Sequence, residues 1–355
     1  MIRPGNGSRS EQMKGDLQMS RIQGKTPSRQ LAKEQVFVGI DVSKLHLDIH
    51  LHPIGLKQGV TNDRIGLKAL ARLLKLYSVS SIIMEATGRY HRLAHRHLFD
   101  AGFPVAAMNP YQTRRFADML GQLAKTDAIG AQTLALFGEM VRPATKEPPS
   151  PSMTKLTALL VARRQVKDQC KALLNQLENA DPGIVTRQIR ARLKMGHRHL
   201  GALETEIEAT IDADPCLKDR YSILVSIPGI GLIIAATLIA ELSELGTLNA
   251  QKIAALVGVA PMNVDSGTMR GQRKILAGRK TVRNTLYMAA VSAIRCNPDM
   301  ARFYQRLKET GKPYKVAITA IIRKLAILAN SLIAQNRTWQ STPPRRVNHL
   351  QEHLS

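Results

Sequence analysis

"VFVGIDVSKLHLDIHL", residues 36–51, is the stretch whose reading decides the fold. It opens on the apolar run Val36 to Ile40 and meets Asp41. A short apolar run bounded by polar residues is the pattern of a strand buried on both faces. Beyond Ser43 the pattern becomes strict alternation: Leu45, Leu47, Ile49 and Leu51 against Lys44, His46, Asp48 and His50. A period of two marks a half-buried strand. Residues 36–51 therefore read as a strand, a tight turn and a second strand, with an acid at the end of the inner one.

The flanking chain extends this into a domain. "NDRIGLKALARLLKLY" has helical periodicity, with Asn62 or Asp63 as N-cap. "VSSIIMEATG" reads as a short buried strand ending at Glu85, and "RYHRLAHRHLFDAG" as a helix closed by Gly102. "FPVAAMNP" is a further short strand. "AKTDAIGAQTLALFG" then reads as one amphipathic helix, with Leu123, Ala131, Leu134 and Phe137 at helical spacing. Asp127 lies inside it and Gly130 three residues on, on much the same face. Strands and helices in this order, with a buried parallel part, imply a three-layer α/β domain over residues 35–146. The Pro-rich "VRPATKEPPSPS" ends it as a linker.

Residues 152–213 are helix-forming and charged, interrupted at Asp181-Pro182-Gly183. They read as an antiparallel helical hairpin or coiled coil, a common dimerising element. Residues 216–335 form a third, mostly helical region, and 336–355 a polar tail. "VAITAIIRKLAILANSLIA" is the most apolar late stretch; Arg323 and Lys324 break it, so it reads as a core helix and no run reads as long enough to span a bilayer. Residues 1–34 read as a disordered basic arm without the apolar segment of a signal peptide, part of it a matter of start-site choice.

Charge narrows the partners. Lys and Arg number 51 against 27 Asp and Glu, a formal net charge of +24. That excess points to a polyanion, most simply nucleic acid. Cys170, Cys216 and Cys296 are widely spaced, with no CxxC and no Cys/His cluster, so structural zinc is not expected and a reducing cytoplasm is.

Three motifs bear on chemistry. Asp41 ends one strand and Glu85 another. Side by side in one sheet these ends would bring the two acids together, with the helix carrying Asp127 packed across them; otherwise each acid is a cap or a solvated turn residue. Carboxylates converging in this way form a site for hard cations, Mg²⁺ or Mn²⁺. Paired cations about 3.5–4 Å apart clamp a phosphodiester during in-line displacement. "SIPGIG", with Gly229 and Gly231, reads either as a helix-hairpin-helix turn whose amides hold a phosphate or as an ordinary glycine turn in a core. "APMNVDSGTMRGQRKILAGRKTVRN" sets Ser266 before Arg270, Arg273, Lys274, Arg279, Lys280 and Arg283. Composition alone makes this a basic DNA-binding loop in which Ser266 caps a turn. A serine hydroxyl needs activation to act as a nucleophile, and arginines around it could stabilise a developing phosphorane charge. "GRYHRLAHRHL" carries His91, His95 and His97 and reads as a basic face near DNA, since no HExxH arrangement makes it a zinc site.

"GIDVSK", "MEATGRY", "AKTD", "SIPGIG" and "GVAPMNVDSG" in this order closely resemble the DEDD transposases of bacterial and archaeal insertion sequences. These are relatives of the Piv site-specific DNA invertases and include the bridge-RNA-guided recombinases. The resemblance spans about Val36 to Ala334. It implies a RuvC-like (RNase H-like) first domain, a coiled-coil middle and a C-terminal transposase domain with the helix-hairpin-helix-like element. It implies that Asp41, Glu85 and Asp127 bind Mg²⁺ and that Ser266 attacks DNA to form a phosphoserine link. It implies a site completed between subunits of a dimer or tetramer, and as partners the DNA of element ends and target together with a structured noncoding RNA. Its setting would be cytoplasmic, with the prokaryotic nucleoid. One departure stands out: the family pattern places a fourth acid three residues after the third, and here that position is Gly130. Two other readings follow from that loss: a catalytically silent nucleic-acid-binding relative, or a metal-dependent junction nuclease using the acids alone.

Overall fold

The computed structural model describes residues 35–86, 88–121, 127–261, 265–266, 269–270, 275 and 278–341, with backbone alone at 127–129, 265–266 and 269–270. The expected N-terminal arm, Arg273, Lys274 and most of the tail lie outside the described residues. The chain divides into two units, residues 1–148 and 149–355.

The first unit is built on five strands: β1 (Gln35–Val42), β2 (His46–His52), β3 (Leu56–Thr61), β4 (Ser78–Glu85) and β5 (Val105–Met108), in the order β3-β2-β1-β4-β5. β1 pairs antiparallel with β2, and β2 with β3; β1, β4 and β5 run parallel. This mixed sheet is consistent with a RuvC-like start. One face carries Val36, Val38, Ile40 and Val42, packed with α1 (Arg64–Leu74) and α2 (His91–Asp100) through Leu67, Leu70, Leu74 and Leu98. Asp63 is the N-cap of α1, accepting from the amides of Ile65 and Gly66, whereas the Asn62 side chain donates to the Ser43 and Tyr90 carbonyls. Leu45, read as a strand residue, is exposed in the turn.

Two helices serve the opposite face. α3 (Pro110–Met119) was not foreseen from the sequence. Its start is explicit in hindsight: Asn109 caps it by accepting from the Tyr111 amide, and Pro110 stands at N1. α4 (Asp127–Val141) is the helix of the "DAIGAQTLALFG" stretch, and the residues before Asp127 lie outside the described residues. Phe116 and Phe137 meet edge to face at 5.1 Å, packed with Ile83 and Leu134. α4 lies directly on β1 at Gly39, where a Cβ would collide with the Ala131 carbonyl. That glycine sets how deep the helix sinks.

The Pro-rich segment does more than link. Its Lys146 amide donates to the Val105 carbonyl, its Lys146 carbonyl bonds to His95 Nε2 at 2.9 Å, and Arg96 donates to the Pro148 carbonyl at 2.8 Å. His95 is buried, and burial pushes its pKa below the ordinary imidazole value. It is a structural group and not part of a basic DNA-facing surface.

The second unit begins with two long helices, α5 (Pro151–Glu178) and α6 (Ile184–Asp212). Arg163–Glu204 and Lys155–Glu206 ion pairs, with Cys170 against Gly196, place them antiparallel as a hairpin. Then follow α7 (Pro215–Val225), α8 (Leu232–Glu241), α9 (Ala250–Val257), a two-stranded ribbon β6 (Asp265–Ser266) and β7 (Met269–Arg270), α10 (Lys280–Cys296), α11 (Pro298–Glu309) and α12 (Tyr314–Ala334). Leu224, Ile227, Leu238, Leu286, Ile321 and Leu325 are among its buried core side chains. α12 has 21 residues and is long and apolar enough by composition to cross a membrane, which corrects the reading of the sequence. Nine of its residues are nevertheless buried in the core, Ala317 and Leu332 among them, as a core helix requires.

Candidate active site

The site forms where strand alternation meets a covering helix. On β1, residues 36, 38, 40 and 42 face α1 and α2, so Phe37, Gly39 and Asp41 face α4. On β4 the same logic turns Ser81, Ile83 and Glu85 toward α4, where Ile83 packs. Ile40 pairs with Met84 in the parallel register, so the next step sets Asp41 beside Glu85 on one face. Adjacent strands are about 4.8 Å apart. Both acids stand at the carboxyl ends of neighbouring parallel strands.

α4 closes over them. A Cβ built on Gly130 would stand 2.7 Å from Asp41 Oδ2 and 3.3 Å from its Cγ. The backbone of α4 at Gly130 thus lies against the Asp41 carboxylate. Asp127 lies on the same helix three residues earlier, on the same side of it. Its side chain lies outside the described residues. Among the described residues no three carboxylate, imidazole or thiol groups form a metal-holding cluster.

The donor chemistry nevertheless fits a hard cation. Asp41 and Glu85 supply oxygen, and Gly130 puts no side chain beside Oδ2.

Sequence reasoning passed over Asp48. It pairs directly with Asp41 across β1 and β2, so it shares the α4 face. The signal was present in the alternation of "LHLDIHL", where Asp48 is polar-face. Along the same strand His50 is buried, and its pKa is lowered by burial and then by Lys57 and His52. His52 Nε2 meets Glu139 of α4 at 3.0 Å, so Glu139 is engaged at the far end of the helix from Asp41.

The other candidate residues lie in the second unit. Ser266 ends β6, and its backbone pairs with Met269 while Asp265 pairs with Arg270. The expected loop is therefore a short ribbon with the serine next to its turn; the side chains of Ser266 and Arg270 are outside the described residues. Arg279 anchors the returning chain. Its guanidinium donates to Glu244 Oε2 at 2.7 Å, to Glu244 Oε1 at 2.8 Å and to the Glu241 carbonyl at 2.6 Å. Those bonds hold the Glu244 carboxyl down to about 2. Arg279 is thus committed inside the fold. Arg283 donates to the Gly258 carbonyl at 3.3 Å, and Lys280 is exposed at the start of α10. In "SIPGIG", Gly229 takes φ +101° against Ala293, and Gly231 is the N-cap of α8.

Comparison with known proteins agrees with this layout. A family model described as Transposase, of the DEDD IS110 kind, matches residues 38–180, and one described as Transposase IS116/IS110/IS902 family matches residues 221–305. The pilin gene-inverting protein of Moraxella bovis is 30% identical over 320 residues, covering 86% of this chain and 98% of that protein. The chain belongs to the DEDD transposases of insertion sequences. Members of this family are enzymes that act on DNA, and this chain is one of them. The Moraxella lacunata pilin gene-inverting protein matches over the same span at 30% identity. An uncharacterized 43.6 kDa protein of insertion element IS110 from Streptomyces coelicolor is 25% identical over 167 residues, 46% of this chain and 40% of that protein.

Proposed function

We propose that this transposase cuts and rejoins DNA through Ser266, assisted by the carboxylates of the first unit. The observation that carries the reading is that Asp41 and Glu85 stand one step beyond the Ile40–Met84 pair at adjacent strand ends, with α4 lying over Asp41 at Gly130. In this reading Ser266 Oγ attacks the scissile phosphorus and gives up its proton. A phosphoserine ester forms, and the departing sugar oxygen takes a proton. Attack by a hydroxyl of the exchanged strand reverses the step and restores the serine. Each bond broken is thereby replaced by one formed, so rejoining needs no external energy source. Asp41, Glu85 and Asp127 would hold a divalent cation, Mg²⁺ or Mn²⁺, which when bound offsets charge on the phosphate oxygens. Arg270, Arg273, Lys274, Lys280 and Arg283 would hold the DNA backbone, as would the amides of the Gly229–Gly231 turn in a helix-hairpin-helix role.

The α5–α6 hairpin would bring subunits together, as a coiled coil at its outer end. Its support is the exposure of Leu174, Ile184 and Val185 near the hairpin tip. The charge of +24 suits DNA of the element ends and target and a structured noncoding RNA alike. Such work belongs in the cytoplasm with the nucleoid. The relatives named for pilin gene inversion make inversion the first reaction to assay.

The test is an inversion and excision assay on a substrate carrying the element's flanking DNA, run with wild type and Ser266→Ala. Wild type should yield recombinants and a protein–DNA adduct that survives denaturation; Ser266→Ala should yield neither while still binding DNA. Unchanged recombination by Ser266→Ala would overturn the serine role, and cleavage with no adduct would favour the junction-nuclease reading. Gly130 is the one observation favouring a silent relative. Recovery of an adduct from wild type rejects that reading.

A further inference from the structure

A cavity of about 570 Å³ opens in the second unit between α11, α12 and the segment that follows α12. Its inner surface is apolar: Met300, Phe303, Leu328 and Leu332 line it, with Met300 and Leu332 fully buried. Trp339, the single tryptophan of the chain, forms another wall, with Gln340 beside it. Arg302, Arg306, Lys324 and Arg337 also line it, against one carboxylate, Asp299. Asp299 is already paired with Arg302 at 2.6 Å. Arg306, Lys324 and Arg337 therefore remain as an excess of positive charge around an apolar, aromatic-walled pocket.

Two arrangements organise these groups. Lys324 Nζ lies 4.5 Å and the Arg306 guanidinium 5.2 Å from the centre of the Phe303 ring. Attraction to the ring holds both cations at the cavity instead of letting them spread into solvent. The tryptophan is tethered by its backbone: its amide donates to Ser226 Oγ at 2.7 Å, and that hydroxyl donates to the Ile223 carbonyl at 2.6 Å. An indole on a fixed backbone, half-exposed beside three cations, is a stacking platform next to phosphate-sized charge.

We infer that this cavity binds single-stranded nucleic acid, taking an unstacked base against Trp339 and the flanking phosphates at Arg306, Lys324 and Arg337. A duplex keeps its bases stacked inside and cannot present one to a pocket, whereas a single strand can splay a base onto an aromatic wall. The positive excess disfavours the chain's own tail as occupant, since residues 342–355 carry Arg345 and Arg346 against Glu352 alone. DNA and RNA single strands share this chemistry. The site is separate from the serine and carboxylate chemistry, so its failure would leave that reading untouched.

The single tryptophan makes the test direct, on the full-length protein without added divalent cation. A single-stranded oligo-dT of about ten nucleotides, the equivalent oligo-U and a duplex of the same length are titrated while tryptophan emission is followed. Either single strand should quench emission saturably, and the duplex should bind without quenching. The comparison of oligo-dT with oligo-U says whether DNA or RNA is preferred. With end-labelled strands read by anisotropy, Trp339→Ala and Lys324→Glu should each weaken single-strand binding about tenfold and duplex binding far less. Lys324 is exposed on α12, so the second variant keeps the test valid should the first fail to fold. Equal weakening of single-strand and duplex binding, or quenching by all three ligands alike, would overturn the site. No response to any strand, with an emission shift in Leu350→Asp, would give the cavity to the tail instead.

Discussion

Gly130 stands against Asp41: a Cβ on the glycine would come within 2.7 Å of the Asp41 Oδ2. The position at which the resemblance implies a fourth acid therefore lies against Asp41. Restoring an aspartate there needs the Asp41 carboxylate to rotate, and it sets two negative charges face to face.

Gly130→Asp should lower the melting temperature in the absence of divalent cation, because like charges at contact repel. Added Mg²⁺ should raise the melting temperature of the variant more than that of wild type, each kcal/mol being worth about 2–4 °C in a domain of this size. Recombination should rise if the missing acid limits turnover. Calorimetric scans with and without Mg²⁺ check the first two points; equal Mg²⁺ responses would show that residue 130 does not face a cation.

Gly39→Ala should cost about 3 kcal/mol or prevent folding of the first unit. Its Cβ would strike the Ala131 carbonyl, so α4 would have to lift from β1 and away from Asp41. Urea unfolding measures the loss, and a variant as stable as wild type would contradict the packing.

The Arg279–Glu244 pair sets a pH dependence. The Glu244 carboxyl is lowered from 4.5 to about 2 by hydrogen bonds from Arg279, so the folded state favours the ionised form. Its contribution is fully present above about pH 4.5 and is lost as pH falls toward about 2. Arg279→Ala should cost about 2 kcal/mol at pH 7, and the gap from wild type should shrink across that window. Stability curves of both proteins from pH 7 to pH 2.5 test it.

His50 and His95 work in the range above. Burial lowers both pKa values, so the unfolded chain takes up protons that the folded chain refuses. Stability should be highest above the ordinary imidazole value of 6.5 and decline as pH falls below it. His95 Nε2 donates to the Lys146 carbonyl, so His95→Gln should flatten the decline while keeping a donor near that carbonyl. Melting temperatures between pH 8 and pH 5 give the slope.

Ile184 and Val185 are exposed at the start of α6. Replacing both with glutamate should leave the secondary structure intact and shift the assembly toward smaller species in light scattering. An unchanged mass would remove the hairpin tip from the interface.

Local pattern carried much of this molecule. The apolar run into Asp41 and the alternation after it specified two strands and their turn, because the side-chain period of a strand is written directly in the sequence. Glu85 at a strand end and the glycine after Asp127 were legible for the same reason. Where the reading failed, a distant partner had overruled a local cue. His95 has the spacing of a surface helix residue, but the Pro-rich segment 51 residues away covers it and supplies Lys146. Arg279 sits in a basic run, yet Glu244 from a turn 35 residues earlier claims its guanidinium. α3 was missed although Asn109-Pro110 marks its start, because a short helix with few buried residues has a weak apolar stripe.

By itself, then, the sequence determined the α/β beginning, the helical remainder, the strong positive charge, and the glycine three residues after Asp127. Only the tertiary structure decided that Gly130 touches Asp41, that Asp48 lies opposite it, and that a tethered Trp339 shares a cavity with Lys324 and Arg306. The division has one physical cause. Periodicity and capping are set by neighbours along the chain, whereas contacts between elements follow from how apolar faces bury one another, and that depends on every face at once.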